Sequence, residues 1–475
     1  MSNSTGSAKK SHKGLYIGLG VVAALAILAI AGWYFLRRGS DSKLETMIPA
    51  TASAVIRIDA AQLAEKVGFE INGTDIQLPK RVADLAGDDA KEIHEFFGKM
   101  KESGINPLGG IYGFATNEAL TGALLVPLFD QDKAKAFLEK EMKETFSSID
   151  GGYYFADTDA IMMIKNDALL IGGTNNGGDS EAMKTMASEL MDGKRENIAA
   201  NSEVSSKLHN SKAVSLYIDN EKLFSLLKKI PECQSSIQNN PLSFLISSIS
   251  SSSMTLDIDN NVVTLASDIT TKDNEYEDFM KTIFHPASND FLQYLPAGCN
   301  VMAAAGLNGK KIASMSQISF LLANLPSEFK TAIESINGTI AAGAAVNPNA
   351  PAASTYTILI GSDNANTLLS FIRENLPLPL NTGVAGNYVY ISNENQVQAG
   401  TFAATSECKD FFNNNWLAVY GSVGIANFEY NANLGVNSAK SSMASFYVNE
   451  NGKPIKPIEW AVAFDQTKKQ LSSGM

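Results

Sequence analysis

An uncharged apolar run near the amino terminus constrains this chain more than any other feature. Leu15 to Leu36 form 22 residues without a charge, preceded by lysines and followed by Arg37 and Arg38. As an α-helix rising about 1.5 Å per residue, the run would extend about 33 Å, enough to cross a hydrocarbon core of about 30 Å. The sequence therefore predicts a transmembrane signal-anchor helix at residues 14–36 that binds the lipid bilayer through Leu15 to Leu36.

The chain beyond this run is long enough for two or three domains. With 475 residues in all and 45% of them hydrophobic, each domain can bury a core of ordinary composition. A cleaved signal peptide is the alternative for the apolar run, but the run continues past Ala29-Ile30-Ala31 into Trp33 to Leu36, which favours an uncleaved anchor. Because long domains translocate largely regardless of charge, we expect a single-pass cell-membrane protein with an extracytoplasmic, periplasmic body.

Net charge restricts the partners of this body. All 50 acidic residues follow the apolar run, whereas five of the 38 Lys and Arg residues flank it, so the body carries 17 net negative charges with His neutral. Such a surface repels phosphate backbones. The sequence has no Walker-type phosphate loop, and Gly18-x-Gly20-x-x-Ala23 lies inside the apolar run with no strand before it. We expect neither nucleic acid nor a nucleotide as a partner, and we do expect other envelope proteins.

The cysteines and histidines give no metal or disulfide framework. The cysteines are Cys233, Cys299 and Cys408. They include no C-x-x-C pair, and the sequence leaves open whether two of them form a bridge. The histidines are His12, His94, His209 and His285. No two of them share a metal-binding spacing such as i and i+4, so neither a metal nor a cofactor is expected.

Hydrophobic periodicity predicts antiparallel strands with interspersed helices. Alternation at Ala54 to Asp59 predicts a strand that leads into a helix carrying Leu63. Asn260-Asn261 is typical of a hairpin turn between Met254 to Asp257 and Val262 to Ala266. Neighbouring strands with short polar turns indicate antiparallel sheets covered by helices, an α+β fold.

The order of these landmarks recurs along the chain. Leu295-Pro296-Ala297 matches Ile48-Pro49-Ala50, and each leads into a strand and then a helix. Three further strand matches are Tyr388 to Ile391 with Tyr153 to Ala156, Trp416 to Tyr420 with Ala213 to Tyr217, and Ser441-Ser442-Met443 with Ser252-Ser253-Met254. A helix opening at Asp132 also has a match, in the segment that follows Asp363. Five landmarks in one order predict two similar halves of antiparallel sheet covered by helices, preceded by one transmembrane helix. The predicted boundaries are residues 1–13 for a short tail, 14–36 for the helix, 37–46 for a polar stalk, 47–290 for the first half and 291–475 for the second.

Candidate catalytic groups are sparse. No G-x-S-x-G turn is present, and Ser362-Asp363-Asn364 fits an S-D-N motif that no K-T-G follows. The carboxylates of Asp157 and Asp159, and those of Asp257 and Asp259, share a strand face and could bind a cation or divide acid and base roles. Both pairs flank turns, where aspartate hydrogen-bonds the local backbone. The sequence therefore assigns no catalytic, cofactor-binding or metal residue, and we expect no enzymatic activity.

The Ile48-Pro49-Ala50 opening, the strand ending at Asp59, the helix with Leu63 and the return of the pattern at Leu295-Pro296-Ala297 resemble a known family. The family comprises bacterial cell-envelope proteins that carry a large domain of unknown function. Its members are typically lipoproteins, so the resemblance implies an extracytoplasmic body held at a membrane. The chain has no cysteine near the end of its apolar run, so a transmembrane anchor is expected to replace the lipid.

These observations predict a non-enzymatic binding or scaffolding module of the bacterial cell envelope. The alternatives are a carboxylate-based envelope hydrolase and a periplasmic chaperone or assembly factor. Carboxylates converging in a deep cleft would favour the hydrolase, whereas a shallow apolar patch would favour a partner surface.

Overall fold

A computed structural model of the protein describes residues 42–72, 75–106, 109–174, 179–228, 247–315, 326–347, 350–375, 379–423, 426–435, 438–449, 451, 453–459 and 461. The predicted membrane span at residues 14–36, the preceding tail and Cys233 lie outside these residues. The described chain divides into two compact units. Residues up to Leu223 and those from Ile458 onward form the first unit, and Phe224–Pro457 form the second.

The first unit contains ten short strands, all paired antiparallel. They are β1 (Ala54–Ile58), β2 (Glu70–Asn72), β3 (Asp75–Gln77), β4 (Ile111–Ala115), β5 (Gly122–Pro127), β6 (Ser147–Ile149), β7 (Gly152–Ala156), β8 (Ala160–Lys165), β9 (Ala168–Gly173) and β10 (Val214–Asp219). Eight of them pair in the order β10-β1-β4-β5-β9-β8-β7-β6. β2 and β3 pair only with each other.

Helices of the first unit connect these strands and cover both sides of the sheet. They are α1 (Ser42–Glu45), α2 (Ala60–Val67), α3 (Lys80–Ala86), α4 (Asp88–Glu102), α5 (Gln131–Met142), α6 (Ser180–Met191) and α7 (Ser202–Leu208), with a short 3-10 helix at Ile198–Ala200. A further helix, α8 (Asn220–Leu227), begins in the first unit and ends in the second. Alternate strand residues point to opposite sides, so each side has its own core. Val55 and Tyr112 belong to a cluster with Met183 of α6, whereas Val126 belongs to one with Ala134 of α5.

The second unit contains longer strands. They are β11 (Ile249–Asp259), β12 (Val262–Thr271), β13 (Phe284–His285), β14 (Val301–Asn308), β15 (Ile336–Ala345), β16 (Thr355–Ser362), β17 (Asn381–Ala385), β18 (Tyr388–Ser392), β19 (Leu417–Val423), β20 (Ala426–Gly435) and β21 (Ser438–Tyr447). Ten of them pair antiparallel in the order β11-β12-β21-β20-β19-β14-β15-β16-β18-β17, and β13 pairs with the end of β14.

Helices also accompany this part of the sheet. They are α9 (Glu275–Ile283), α10 (Gly309–Ser314), α11 (Ser327–Ser335), α12 (Ala365–Asn375) and α13 (Ser406–Asn413), with 3-10 helices at Asp290–Tyr294 and Pro351–Ala353. One core cluster joins Leu359 to Phe291 and Phe412, whose rings meet edge to face with centroids 5.3 Å apart. A second cluster joins Val389 to Leu368 of α12.

The predicted fold class is wrong in the arrangement of its sheet. Nineteen of the 21 strands in the described residues belong to one large antiparallel sheet accompanied by helices, in place of two separate helix-covered halves. The sequence predicted only short segments of the long strands β11, β12 and β21, and it did not predict β20. No helix within the described residues is long and apolar enough to cross a membrane. The predicted transmembrane helix at residues 14–36 lies outside the described residues, so the structure gives it no support.

Several individual elements are confirmed. The strand predicted from Ala54 is β1, and the predicted hairpin turn has Asn260 and Asn261 at φ 49° and 67°, as a tight turn between twisted strands requires. The helix expected to open at Asp132 begins at Gln131, because the Asp130 carboxylate caps it by accepting the Lys133 N–H at 3.0 Å.

Candidate functional site

Asp157 and Asp159, the leading carboxylate pair, lie at the turn between β7 and β8. The Asp157 N–H donates to the Ala160 carbonyl at 2.9 Å, and the Asp157 carboxylate accepts the Thr158 N–H at 2.7 Å. The Asp159 carbonyl accepts the Thr174 N–H at 3.0 Å. Turn geometry therefore accounts for the placement of this pair.

The second pair differs in environment. Asp257 is buried and Asp259 is exposed at the end of β11.

Across the described ranges, no three or more His, Cys, Asp or Glu side chains are grouped as a metal site would require. Cys299 and Cys408 are free thiols, and burial raises the pKa of Cys299 to about 11, so this thiol is protonated at neutral pH.

The sequence did not predict a buried polar cluster that lies in the first unit. Glu45 lies in α1, within the predicted stalk, and is only 3% exposed. Its carboxylate accepts the Tyr112 hydroxyl at 2.9 Å and lies 2.5 Å from Nε2 of His209. The flanking apolar residues Leu44 and Met47 are also buried, and a Glu between apolar residues is the signal that could have revealed this cluster. Through Tyr112 and His209, the cluster holds α1 against β4 and against the end of α7.

The other histidines lie elsewhere. His94 is exposed on α4, and His12 lies outside the described residues. The ring nitrogens of His285 lie 2.8 Å from the Pro286 carbonyl oxygen and 3.2 Å from that of Leu307. His285 thus contacts backbone at the β13–β14 pairing, a structural position.

Five consecutive strands of the second unit, β11, β12, β21, β20 and β19, present one apolar side. Leu256 pairs with Leu265, Leu265 with Met443, Met443 with Tyr430, and Tyr430 with Val419. Directly paired residues and alternate residues of a strand share a side of the sheet. We call this side of the five strands the uncharged face. Its large side chains are Met254, Leu256, Ile258, Val263, Leu265, Ile269, Leu417, Val419, Val423, Phe428, Tyr430, Leu434, Met443 and Tyr447.

The charges of these strands all lie on the opposite side. The charged residues are Asp257, Asp259, Asp268, Glu429 and Lys440. Each occupies a position that alternates with those of the uncharged face, and β19 contains no charged residue. Within these five described strands, no ionisable carboxylate or ammonium group therefore lies on the uncharged face. Such segregation is typical of a sheet with one apolar and one solvated side.

The uncharged face is nevertheless partly open to solvent. Met254 and Leu417 are 37% exposed, and Met443 is 44% exposed. The residues that pair with these three are uncharged. Leu417 pairs with Ala432, and Met254 pairs with Ser267. Large apolar side chains in a contiguous exposed patch indicate a binding surface more strongly than scattered ones do.

The same side of the sheet continues beyond β19. Val419 pairs with Ala303 of β14, Ala303 with Ala342 of β15, and Ala342 with Ile358 of β16. Ile358 and its alternate neighbour Tyr356 are each 37% exposed. The open apolar area therefore extends across the centre of the second unit.

A helix already covers one end of this side. Val389 and Ile391 of β18 share the side with Ile358, because Ile358 pairs with Ile391. They are buried against Leu368, Leu369 and Ile372 of α12. The opposite side of the same strands is buried in the cluster that contains Phe291 and Phe412. On β14, β15, β16 and β18 the sheet thus has one covered side and one side that is covered only in part, whereas β12 and β20 are mostly half-buried on both sides.

Comparison with known proteins defines the class of this chain. Residues 44–398 match the model of a family described as "Domain of unknown function (DUF4836)". Because the match covers most of the chain, the protein belongs to this family. No curated protein matches it.

Solved structures show only distant likenesses. A structure titled "Structure of crystal form III of TP0453" is 12% identical, with a TM-score of 0.30, covering 51% of this chain and 87% of that one. "Structure of crystal form I of TP0453" is also 12% identical, with a TM-score of 0.29, covering 50% of this chain and 82% of that one.

Proposed function

We propose that this protein is a non-enzymatic binding or scaffolding protein of the bacterial cell envelope, with its folded units outside the cytoplasm. It binds a partner through the uncharged face of the second unit. The observation that carries the proposal is the separation of side chains on the five strands, with all five charged residues on one side and exposed Met254, Leu417 and Met443 on the other.

The size of the uncharged face supports binding. Five strands about 4.8 Å apart, each presenting about four residues to one side at about 6.8 Å spacing, give an area of roughly 600 Å². The largest apolar patch on an ordinary monomer is about 300–600 Å² and is often functional. The footprint of the uncharged face is of that order, and Met254, Leu417 and Met443 are its most exposed large apolar side chains.

The chemistry of the face also supports binding over catalysis. Methionine side chains adapt to different partner shapes, and Met254 and Met443 are among its most exposed residues. Asp157 and Asp159, the best carboxylate pair for a hydrolase, serve a turn in the first unit. A shallow apolar surface, the feature expected for a partner site, supports the binding protein over the hydrolase.

A duplication of one ancestral unit is part of the same proposal. The pairing order β10-β1-β4-β5-β9-β8 of the first unit has a counterpart in β19-β14-β15-β16-β18-β17 of the second. By this order β18 corresponds to β9, so the sequence match of Tyr388 to Ile391 with Tyr153 to Ala156 joined the wrong strands. The helix after β1 is capped by Asp59 and the helix after β14 by Asn308, each accepting an N–H three residues on at 3.0 Å.

In-cell photo-crosslinking tests the binding function. A photo-reactive amino acid placed at position 443 lies on the uncharged face, and one placed at position 442 lies on the opposite side of the same strand. We expect a crosslinked partner from position 443 and little or none from position 442. Protease added to intact spheroplasts tests location, and we expect it to degrade the folded units. Equal crosslinking from both positions, or full protection from protease, would contradict the proposal.

A further inference from the structure

We infer that the occupant of the uncharged face is an amphipathic α-helix of a partner protein, with one apolar stripe and a Lys- and Arg-rich polar side. This inference rests on the proposed binding function and adds the chemistry of the partner. It follows from the shape of the face, from the helix that already packs on the same side of the sheet, and from charge.

An extended strand is a poor occupant. β12, β21 and β20 each pair with strands on both sides, so their backbone N–H and C=O groups are used within the sheet. Strand addition requires an open edge with free backbone groups. Recognition at the uncharged face is therefore left to side chains.

A small apolar ligand is also a poor occupant. Sites for such ligands are concave and bury most of the ligand surface. The uncharged face is one side of a sheet on which Met254, Leu417 and Met443 remain more than a third exposed, so these residues do not enclose a ligand. A helix differs because it buries only one stripe and keeps its polar side in water.

A helix already packs on this side of the same sheet. Leu368, Leu369 and Ile372 of α12 form a stripe at i, i+1 and i+4 and pack on Val389 and Ile391. Ile391 pairs with Ile358, which is where the exposed apolar area begins. A partner helix would extend this mode of packing to the open strands. A helix of about 16 residues would span the width of about 24 Å across five strands.

Charge and area disfavour a second copy of this chain as the occupant and favour a basic partner. The chain carries a net charge of −12, so two copies repel each other. The face area of roughly 600 Å² also falls below the roughly 800 Å² per partner of a standard stable interface. A helix with cations on its polar side gains attraction to the acidic chain while its apolar stripe meets an uncharged surface.

Binding of a designed peptide to the purified full-length chain tests the inference. The probe is a fluorescent 18-residue Leu/Lys helix with one apolar stripe, and the control is a peptide of the same composition in scrambled order. Met443→Glu places a carboxylate under the apolar stripe and is expected to weaken binding about tenfold or more. Ser442→Glu adds the same charge to the opposite side of the strand and is expected to leave binding unchanged or slightly stronger. Met254→Glu and Thr255→Glu repeat the comparison on β11, in case one variant folds poorly.

Each outcome decides the inference. Loss with both methionine variants, retention with both control variants and weak binding of the scrambled peptide support it. Equal binding by all variants shows charge attraction alone and overturns it. Binding of zwitterionic phospholipid vesicles that falls with Met443→Glu, without peptide binding, assigns the face to a membrane and also overturns it. No binding to either probe overturns the helix as occupant, while a crosslink at position 443 would still support the proposed function.

Discussion

The two units share an order of strand pairing but differ in how one row of side chains is covered. In the first unit the row across β1, β4, β5 and β9 consists of Ile56, Gly113, Leu124 and Ile171. In the second unit the corresponding row across β14, β15, β16 and β18 consists of Ala303, Ala342, Ile358 and Ile391. Leu124 of the first row is buried in the cluster that contains Ala134 of α5, whereas Ile358 of the second row is 37% exposed and its row continues into the uncharged face. The same backbone plan can therefore serve mainly as a support or also as a binding surface.

The largest expected effect is a difference in unfolding free energy between substitutions on the two sides of β16. Leu359 is fully buried and its neighbour Ile358 is 37% exposed. Leu359→Ala removes core volume and should lower the free energy of unfolding by about 3 kcal/mol, whereas Ile358→Ala should lower it by about 1 kcal/mol. Urea denaturation followed by circular dichroism measures both. Similar losses for the two variants would mean that Ile358 is covered in solution and that the open face is smaller than we infer.

The next effect compares the segments that precede β1 in the first unit and its counterpart β14 in the second. Glu45 accepts the Tyr112 hydroxyl inside the first unit, and Asp290 accepts the Tyr388 hydroxyl at 2.6 Å near the surface of the second. Removing a buried acceptor costs more than removing an exposed one. Glu45→Ala should therefore cost about 2 kcal/mol of stability, and Asp290→Ala less than about 1 kcal/mol.

Hydrogen exchange of the backbone amides of β4 and β18 would separate these two losses. We expect faster exchange in β4 with Glu45→Ala and little change in β18 with Asp290→Ala. Burial and then the bond to Asp290 raise the pKa of the Tyr388 phenol, so this tyrosine stays protonated as a donor over the accessible pH range. An equal loss in both variants would remove the contrast between the two units.

The sequence predicts local structure where alternation and turn chemistry agree, as at β1 and at the Asn260-Asn261 hairpin. It missed β20, although Phe428 and Tyr430 alternate there with Asn427 and Glu429 and Gly424 precedes the strand, because the three asparagines of β20 are poor strand formers. The uncharged face could not be predicted, since it depends on the register among five strands that are up to about 190 residues apart in the chain. The Glu45 cluster was missed for the same reason, because His209 and Tyr112 meet it only through long-range packing.

The smallest effect compares a half-buried and an exposed carboxylate at low pH. Lys165 Nζ lies 2.6 Å from one oxygen of Asp192 in the first unit, and Lys194 Nζ lies 2.8 Å from the other. The hydrogen bond from Lys165, and then that from Lys194, lowers the pKa of Asp192 below its ordinary value of 3.8. In the second unit, hydrogen bonds from Asn337 and then Lys310 lower the pKa of Asp363, which is more exposed.

A lowered pKa in the folded state means that each carboxylate contributes stability above its unfolded pKa and loses it as the pH falls through the folded value. Asp192→Asn should therefore reduce stability at pH 6 by about 1 kcal/mol or less and flatten the decline of stability below about pH 4. Asp363→Asn should change that decline less, because solvent screens its ion pair. Urea denaturation at pH 6, 4 and 3 measures both slopes. A steeper acid dependence in Asp192→Asn than in the parent chain would show that Lys165 does not hold this carboxylate in solution, and the two units would then respond to acid alike.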